Sequence, residues 1–345
     1  INPDAIQVHY GYTMWAWLAA ATAGWPLVIT VMGGDVLFGE QGPTTPLGRW
    51  LTVEALRSAD LITAKSSHLI TVLDRLGGLG KKAIRVVWGV DVDKYTRRDP
   101  SPLRRQLGLD DDTRVIFSAK ILREFYNIHL VVEAMAEVVR RHPKTVLLVS
   151  EYAAEPEYKA RLVEQVARLG LGDQVRFIGR LSPDEMPLYY SLAEVAVSVP
   201  PSDGLPQALL EAMACEVPNV LARLPRYLEL VSDRESVVFV DIEPRSIADG
   251  ICTLLEDPEL AARIRHKARA IVVETADLAA EVSRLEEALY RLPPGGARRP
   301  SIERRAAILA AASAYSTPIS DRRRARAIRR FAEWAAERAA GSPNE

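Results

Sequence analysis

Apolar positions along the chain follow two alternating rhythms. Short runs rich in β-branched residues stand at 5–8, 27–31, 61–64 and 84–87, and helical spacing fills 46–58 and 67–76 between them. Met14, Trp17, Leu18 and Ala21 mark one more helix, ahead of the run Leu27-Val28-Ile29-Thr30-Val31. The rhythm lapses after Gly89-Val90-Asp91, and Arg97-Arg98-Asp99-Pro100-Ser101-Pro102 reads as a linker. A second series follows. Its strands are predicted at 115–118, 145–149, 175–178, 195–199, 219–221 and 237–240, and its helices at 128–141, 155–169, 183–192, 206–214, 247–255 and 258–275. Strands alternating with helices imply parallel sheets with right-handed crossovers. The pattern therefore predicts an α/β protein with two Rossmann-like domains facing a cleft. These are residues 1–96 and 103–275, followed by a closing helix at 276–292.

The first series holds four strands against six, and residue 1 is Ile rather than Met. The expectation is an incomplete first domain, lacking its opening strands and their first loop, with the start of the chain processed or missing. The stretch from Tyr10 to Gly34 carries no formal charge and is long enough to cross a bilayer. Gly24-Trp25-Pro26 interrupts it, however, because proline cannot donate within a helix. The stretch reads as helix, tight turn and core strand, not as a membrane span.

Composition narrows the function classes. Lys and Arg total 44 against 45 Asp and Glu, a net charge of −1, so the whole chain carries no nucleic-acid signature. The balance is uneven. Residues 298–345 hold 11 Arg against 5 acidic residues. Residues 293–345 are expected to form a basic helical tail, with helices at 302–312 and 322–340. Its Arg322-Arg323-Arg324-Ala325-Arg326 run suits either a solvated helical face or peripheral contact with an anionic membrane. The two cysteines, Cys215 and Cys252, leave no disulfide framework or cysteine-built zinc site, and suggest a reducing, cytoplasmic setting. His68, His129, His142 and His266 show no metal-ligand spacing, so no metal cofactor is expected.

The segment richest in chemistry is Pro200-Pro201-Ser202-Asp203-Gly204-Leu205-Pro206-Gln207-Ala208-Leu209-Leu210-Glu211-Ala212-Met213-Ala214-Cys215. It follows a strand and opens a helix. Pro206 suits a first helical turn, and Gly204 lets a ligand approach the backbone. The free N–H groups and dipole of the helix start favour an anion. Asp203 and Glu211, eight residues apart, are spaced to meet two parts of an extended ligand, and carboxylates accept hydrogen bonds from sugar or ribose hydroxyls. The local pattern also fits a plain helix cap at Asp203.

This segment resembles the E-x7-E signature of the retaining glycosyltransferases of family 4, also called glycosyltransferase group 1. Asp203 stands at the first acidic position and Glu211 at the second. Leu205-Pro206 replaces Phe-Gly, and Glu216 stands where Gly is usual. Ser118-Ala119-Lys120, Tyr126-Asn127-Ile128 and Val132-Glu133-Ala134 resemble the diphosphate-binding segment, with Lys120 in place of an Arg. The second basic residue, a Lys before a Gly, is replaced by Phe125-Tyr126-Asn127, with Arg123 able to compensate. Phe177-Ile178-Gly179-Arg180-Leu181 resembles the segment beside the nucleotide base. Val31-Met32-Gly33-Gly34-Asp35 resembles a strand end in which Met32 replaces a sugar-contacting His. Trp88-Gly89-Val90-Asp91 resembles the end of the family's first domain.

The resemblance implies the GT-B arrangement and sugar transfer from a nucleotide donor such as a UDP- or GDP-sugar, with retention and no required metal. The acceptor is expected to be a glycan or lipid-linked saccharide. Asp203, His9 and Asp35 are the expected catalytic residues. Lys120, Arg123, Arg180, Gly204, Leu205, Pro206 and Glu211 are expected to bind the donor. Two alternatives remain: a non-catalytic nucleotide-sugar-binding homologue and a nucleotide-sugar epimerase.

Overall fold

The computed structural model describes residues 3–22, 24–38, 45–203, 205–293 and 300–316. They form two compact units, one of residues up to Val87 and from Ser283 onward, the other of Trp88–Val282.

The first unit carries a fully parallel sheet in the order β1-β2-β3-β4. Its elements are β1 (Ile6–His9), α1 (Met14–Thr22), β2 (Leu27–Val31), α2 (Pro46–Ser58), β3 (Leu61–Ala64), α3 (Ser67–Arg75) and β4 (Ala83–Arg85). Helix starts follow local chemistry. Thr45 caps α2 by accepting from Gly48 N, with Pro46 in the first turn, and Ser66 caps α3 by accepting from Leu69 N. All five residues of β2 are buried, as expected for an apolar run with packing on both faces. The buried face of α1 is Ala16, Trp17, Ala20 and Ala21, while Met14 is exposed. The expected stripe through Met14 is thus rotated, because small alanines let α1 pack closely. Among the described residues, no helix is long and apolar enough to cross a membrane.

In the second unit, α4 (Ser101–Gln106) starts within the end of the expected linker. One buried side chain, Leu103, anchors this short helix, too little to make a periodic signal. There follow β5 (Arg114–Ser118), α5 (Ile128–Arg141), β6 (Thr145–Val149), α6 (Pro156–Arg168), β7 (Val175–Phe177), α7 (Met186–Leu192), β8 (Val195–Ser198), α8 (Gln207–Ala214), β9 (Asn219–Ala222), β10 (Val238–Val240), α9 (Pro244–Glu256), α10 (Pro258–Thr275) and α11 (Leu278–Tyr290), of which the residues from Ser283 onward count with the first unit. The sheet is again parallel throughout, in the order β10-β9-β8-β5-β6-β7. The chain builds outward from β5 through β6 to β7, then returns to place β8 on the other side of β5. The ends of β5 and β8 therefore flank a topological switch point, where open α/β sheets bind their ligands.

Residues 88–91 pair with the segment before α11. Val90 N donates to Ala276 O at 2.9 Å, and Leu278 N donates to Val90 O at 3.1 Å. A Cβ on Gly89 would lie 2.6 Å from the Leu278 backbone. Gly89→Ala is expected to lower stability by about 1–3 kcal/mol through this clash, read as a lower Tm. Gly172→Ala, with nothing within 4 Å of the added carbon, should leave Tm nearly unchanged.

The sequence places α12 (Ile302–Ser316) in a tail, but the fold makes it part of the first unit. Ile308, Ala311 and Ala312 are buried in the same core as α1 and α2. Arg304 Nε pairs with Glu54, whose side chain is wholly buried, and Arg57 Nη1 holds the other carboxylate oxygen at 2.9 Å. An Ala-rich, Arg-rich sequence conceals this role, since few large apolar residues mark the packed face. The expected helix at 322–340 lies outside the described residues, as do all residues beyond Ser316.

Candidate functional site

At the switch point, β5 delivers Lys120 and β8 delivers the loop that ends in α8. Lys120 Nζ donates to Asp203 Oδ2 at 2.7 Å, with the two side chains 7% and 19% exposed. The hydroxyl of wholly buried Tyr227 donates to the same oxygen at 3.3 Å. Burial first, then the neighbouring Asp203 carboxylate, push the Tyr227 phenol well above its usual range. Burial and Asp203 also raise Tyr126, whose ring centroid stands 5.6 Å from Lys120 Nζ. Arg226 is buried and donates to Ser202 Oγ at 3.0 Å, linking the 3-10 turn Tyr227–Glu229 to the β8–α8 loop.

The start of α5 closes the other side. Asn127 holds φ +55°, a left-handed backbone that glycine favours and asparagine tolerates. Its Nδ2 donates to Val199 O at 2.9 Å and ties α5 to the end of β8. Asn127 thus fills the place of the expected Gly, and Tyr126 stands where a Lys was expected.

Glu211 lies farther along α8, among different partners. The Tyr190 hydroxyl donates to Glu211 Oε2 at 3.2 Å, and Tyr95 also bonds the carboxylate. Burial raises the Glu211 pKa, while the bonds from Tyr190 and Tyr95 and the charge of Lys94 oppose that rise. The two acids have no partner in common in these networks, as a ligand held at two ends requires.

The remaining expected residues sit as follows. Arg123 Nε reaches Glu155 Oε1 at 3.4 Å with both side chains half-exposed, so it pairs away from Asp203. Arg180 is exposed, 5.4 Å from the Tyr152 ring centroid. Leu205 and Pro206 are buried, and Pro206 is the cap of α8 rather than its first helical residue, with ψ at 136°. Gly204 lies outside the described residues. In the first unit, exposed His9 ends β1. Asp35 was expected to be catalytic. It is fully buried, and its carboxylate accepts from Gly11 N at 2.7 Å and from Met32 N and Gly33 N at 3.0 Å. Those bonds staple the loop after β2 to the segment after β1.

One cluster departs from the sequence reading. His142, Cys252 and Glu256 bring ligand-type atoms within 4.8 Å of one another where α5 packs on α9. Arg141 Nη2 already holds both Glu256 oxygens at 2.8 Å, and His142 Nε2 lies 3.0 Å from one of them. Burial pushes the Cys252 thiol up to about 11. A neutral thiol beside a guanidinium is a poor cation ligand, so this is an ion-pair network.

The family described as Glycosyl transferases group 1 matches residues 101–271. N-acetyl-alpha-D-glucosaminyl L-malate synthase of Bacillus anthracis is 25% identical over 84% of this chain and 75% of its own. D-inositol 3-phosphate glycosyltransferase 2 of Catenulispora acidiphila is 28% identical over 80% of this chain and 70% of its own. Among solved structures, Anabaena Alr3699/HepE in complex with UDP and glucose superposes with a TM-score of 0.74 at 25% identity, covering 84% of this chain and 78% of that one. Fold and relatives together support the group 1 glycosyltransferase family and indicate a transferase enzyme. The two parallel sheets are those of its GT-B-like neighbours.

Proposed function

We propose that this protein transfers a glycosyl unit from a nucleoside-diphosphate sugar to an acceptor hydroxyl, with retention at the anomeric carbon. The observation that carries this reading is the meeting of Lys120 and Asp203 at the switch point beside the start of α8. The helix start and Lys120 supply positive potential for a departing diphosphate, so no metal is assigned. The bond from C1 to the diphosphate oxygen breaks, and its electron pair stays on that oxygen. The acceptor oxygen bonds C1 and gives up its proton, for which the departing diphosphate is the base at hand. Asp203 faces the donor sugar and the positive charge developing at C1. Glu211 takes ribose hydroxyls, Arg180 lies on the base side, and exposed His9 is assigned to the acceptor side. The acceptor class we favour is a glycan or lipid-linked saccharide, reached by a cytoplasmic protein at the membrane's inner face through the Arg-rich residues beyond 317.

One observation favours a binding protein without turnover: Tyr126 replaces a cation and Arg123 pairs with Glu155, leaving Lys120 to meet the diphosphate. Thermal shift against UDP-glucose, UDP-N-acetylglucosamine, GDP-mannose and ADP-glucose separates the readings when followed by an assay for sugar release. A ligand at 100 times its Kd adds about 2.7 kcal/mol of apparent stability. A raised Tm with sugar release is the expected result. A raised Tm without turnover leaves the binder, and no shift with any of the four rejects both.

A further inference from the structure

Asp203 accepts both of its hydrogen bonds on Oδ2, from Lys120 and from Tyr227, and among the described residues nothing bonds Oδ1. Lys120 Nζ in turn donates to that acid at 2.7 Å. Both side chains are largely shielded from water, so each is the chief neutraliser of the other's charge. The cation best placed for a diphosphate is therefore already engaged.

We propose that Lys120 and Asp203 form a lock that an arriving diphosphate must part, an inference that rests on the reading of the switch point as a donor site. The phosphate oxygens take the Lys120 ammonium, and Asp203 stays in place through the buried Tyr227 hydroxyl. Its Oδ2 then regains capacity, and both oxygens can face sugar hydroxyls. The empty site is kept neutral, and the acid is released for the sugar only when the diphosphate is present. Tyr227, which no sequence motif marks, is the positioning residue that lets Asp203 survive the exchange.

Inorganic pyrophosphate is the probe, because it carries the diphosphate chemistry without a nucleoside or sugar. Calorimetric titration compares the natural protein with Asp203→Asn, Lys120→Met, the double variant, and Asp203→Asn combined with Lys120→Arg. Freeing the cation should make Asp203→Asn bind pyrophosphate about tenfold more tightly, since the buried competitor is removed. That gain should fall below about threefold in the Lys120→Met background and persist with Lys120→Arg. An equal gain with and without a cation at 120 overturns the lock, because Asp203 would then act only as a nearby like charge. Weaker binding by Asp203→Asn overturns it as well. No pyrophosphate binding by the natural protein or by Asp203→Asn instead removes the anion site itself, and with it the reading on which the lock depends. Melting curves on every variant separate these outcomes from misfolding.

Discussion

Asp203→Asn should lower kcat by roughly 10²–10³, the cost of losing one preorganised charge aimed at the reacting centre. The Tm should fall, because the buried Lys120 ammonium loses the charge that neutralises it, while Asn keeps the shape and still accepts from Tyr227. The same variant is expected to bind pyrophosphate more tightly, so affinity and turnover should move in opposite directions. This pairing discriminates sharply, since a damaged fold would lower both. Glu211→Gln should instead act on donor binding. A hydrogen bond to a charged group contributes about 1.5–3 kcal/mol, so KM for the donor should rise roughly tenfold to a hundredfold with kcat less affected. Gln still accepts from Tyr190 and Tyr95, which protects the local packing. Steady-state kinetics on both variants check the assignment, and unchanged values in both would remove the two acids from the mechanism.

A separate stability effect is expected in the first unit. Arg304→Ala leaves the fully buried Glu54 with Arg57 alone, and because both arginines are partly exposed and Arg57 remains, the loss is expected to be about 1–3 kcal/mol. Thermal or denaturant unfolding should register most of that loss in the first unit. Replacing Arg304 by Met together with Glu54 by Leu should recover much of it, because no buried charge is then left unpaired. Equal stability in Arg304→Ala and the natural protein would mean that the Arg304–Glu54 pair does not hold the first unit together.

The two series of elements were legible because each strand and helix buries a face, and burial writes its period into the chain. Helices at 46–58, 128–141 and 258–275 have the predicted limits, helped by a proline at the first turn of the first and third. The site was half legible. Asp203, Glu211 and Lys120 stood out because carboxylates in a strand–loop–helix segment and a lysine after a strand are chemically conspicuous. Tyr227 and Arg226 did not, since a tyrosine or arginine in a loop looks the same whether it faces solvent or a buried acid. The backbone bonds of Asp35 were equally hidden, because a carboxylate held by backbone N–H groups is written with the same letter as one that faces a ligand.

By itself, the chain determined its α/β class, the division into two strand–helix series and the acid-bearing loop ahead of α8, all consequences of near-neighbour spacing and local turn chemistry. Only the tertiary structure decided that β8 lies beside β5, that Lys120 meets Asp203 across 83 positions of sequence, and that α12 completes the first core. Which apolar ribbons pair, and which small residues let a helix nestle, depend on contacts between distant segments. Those contacts are selected by the packing of the whole unit, and no local window contains them.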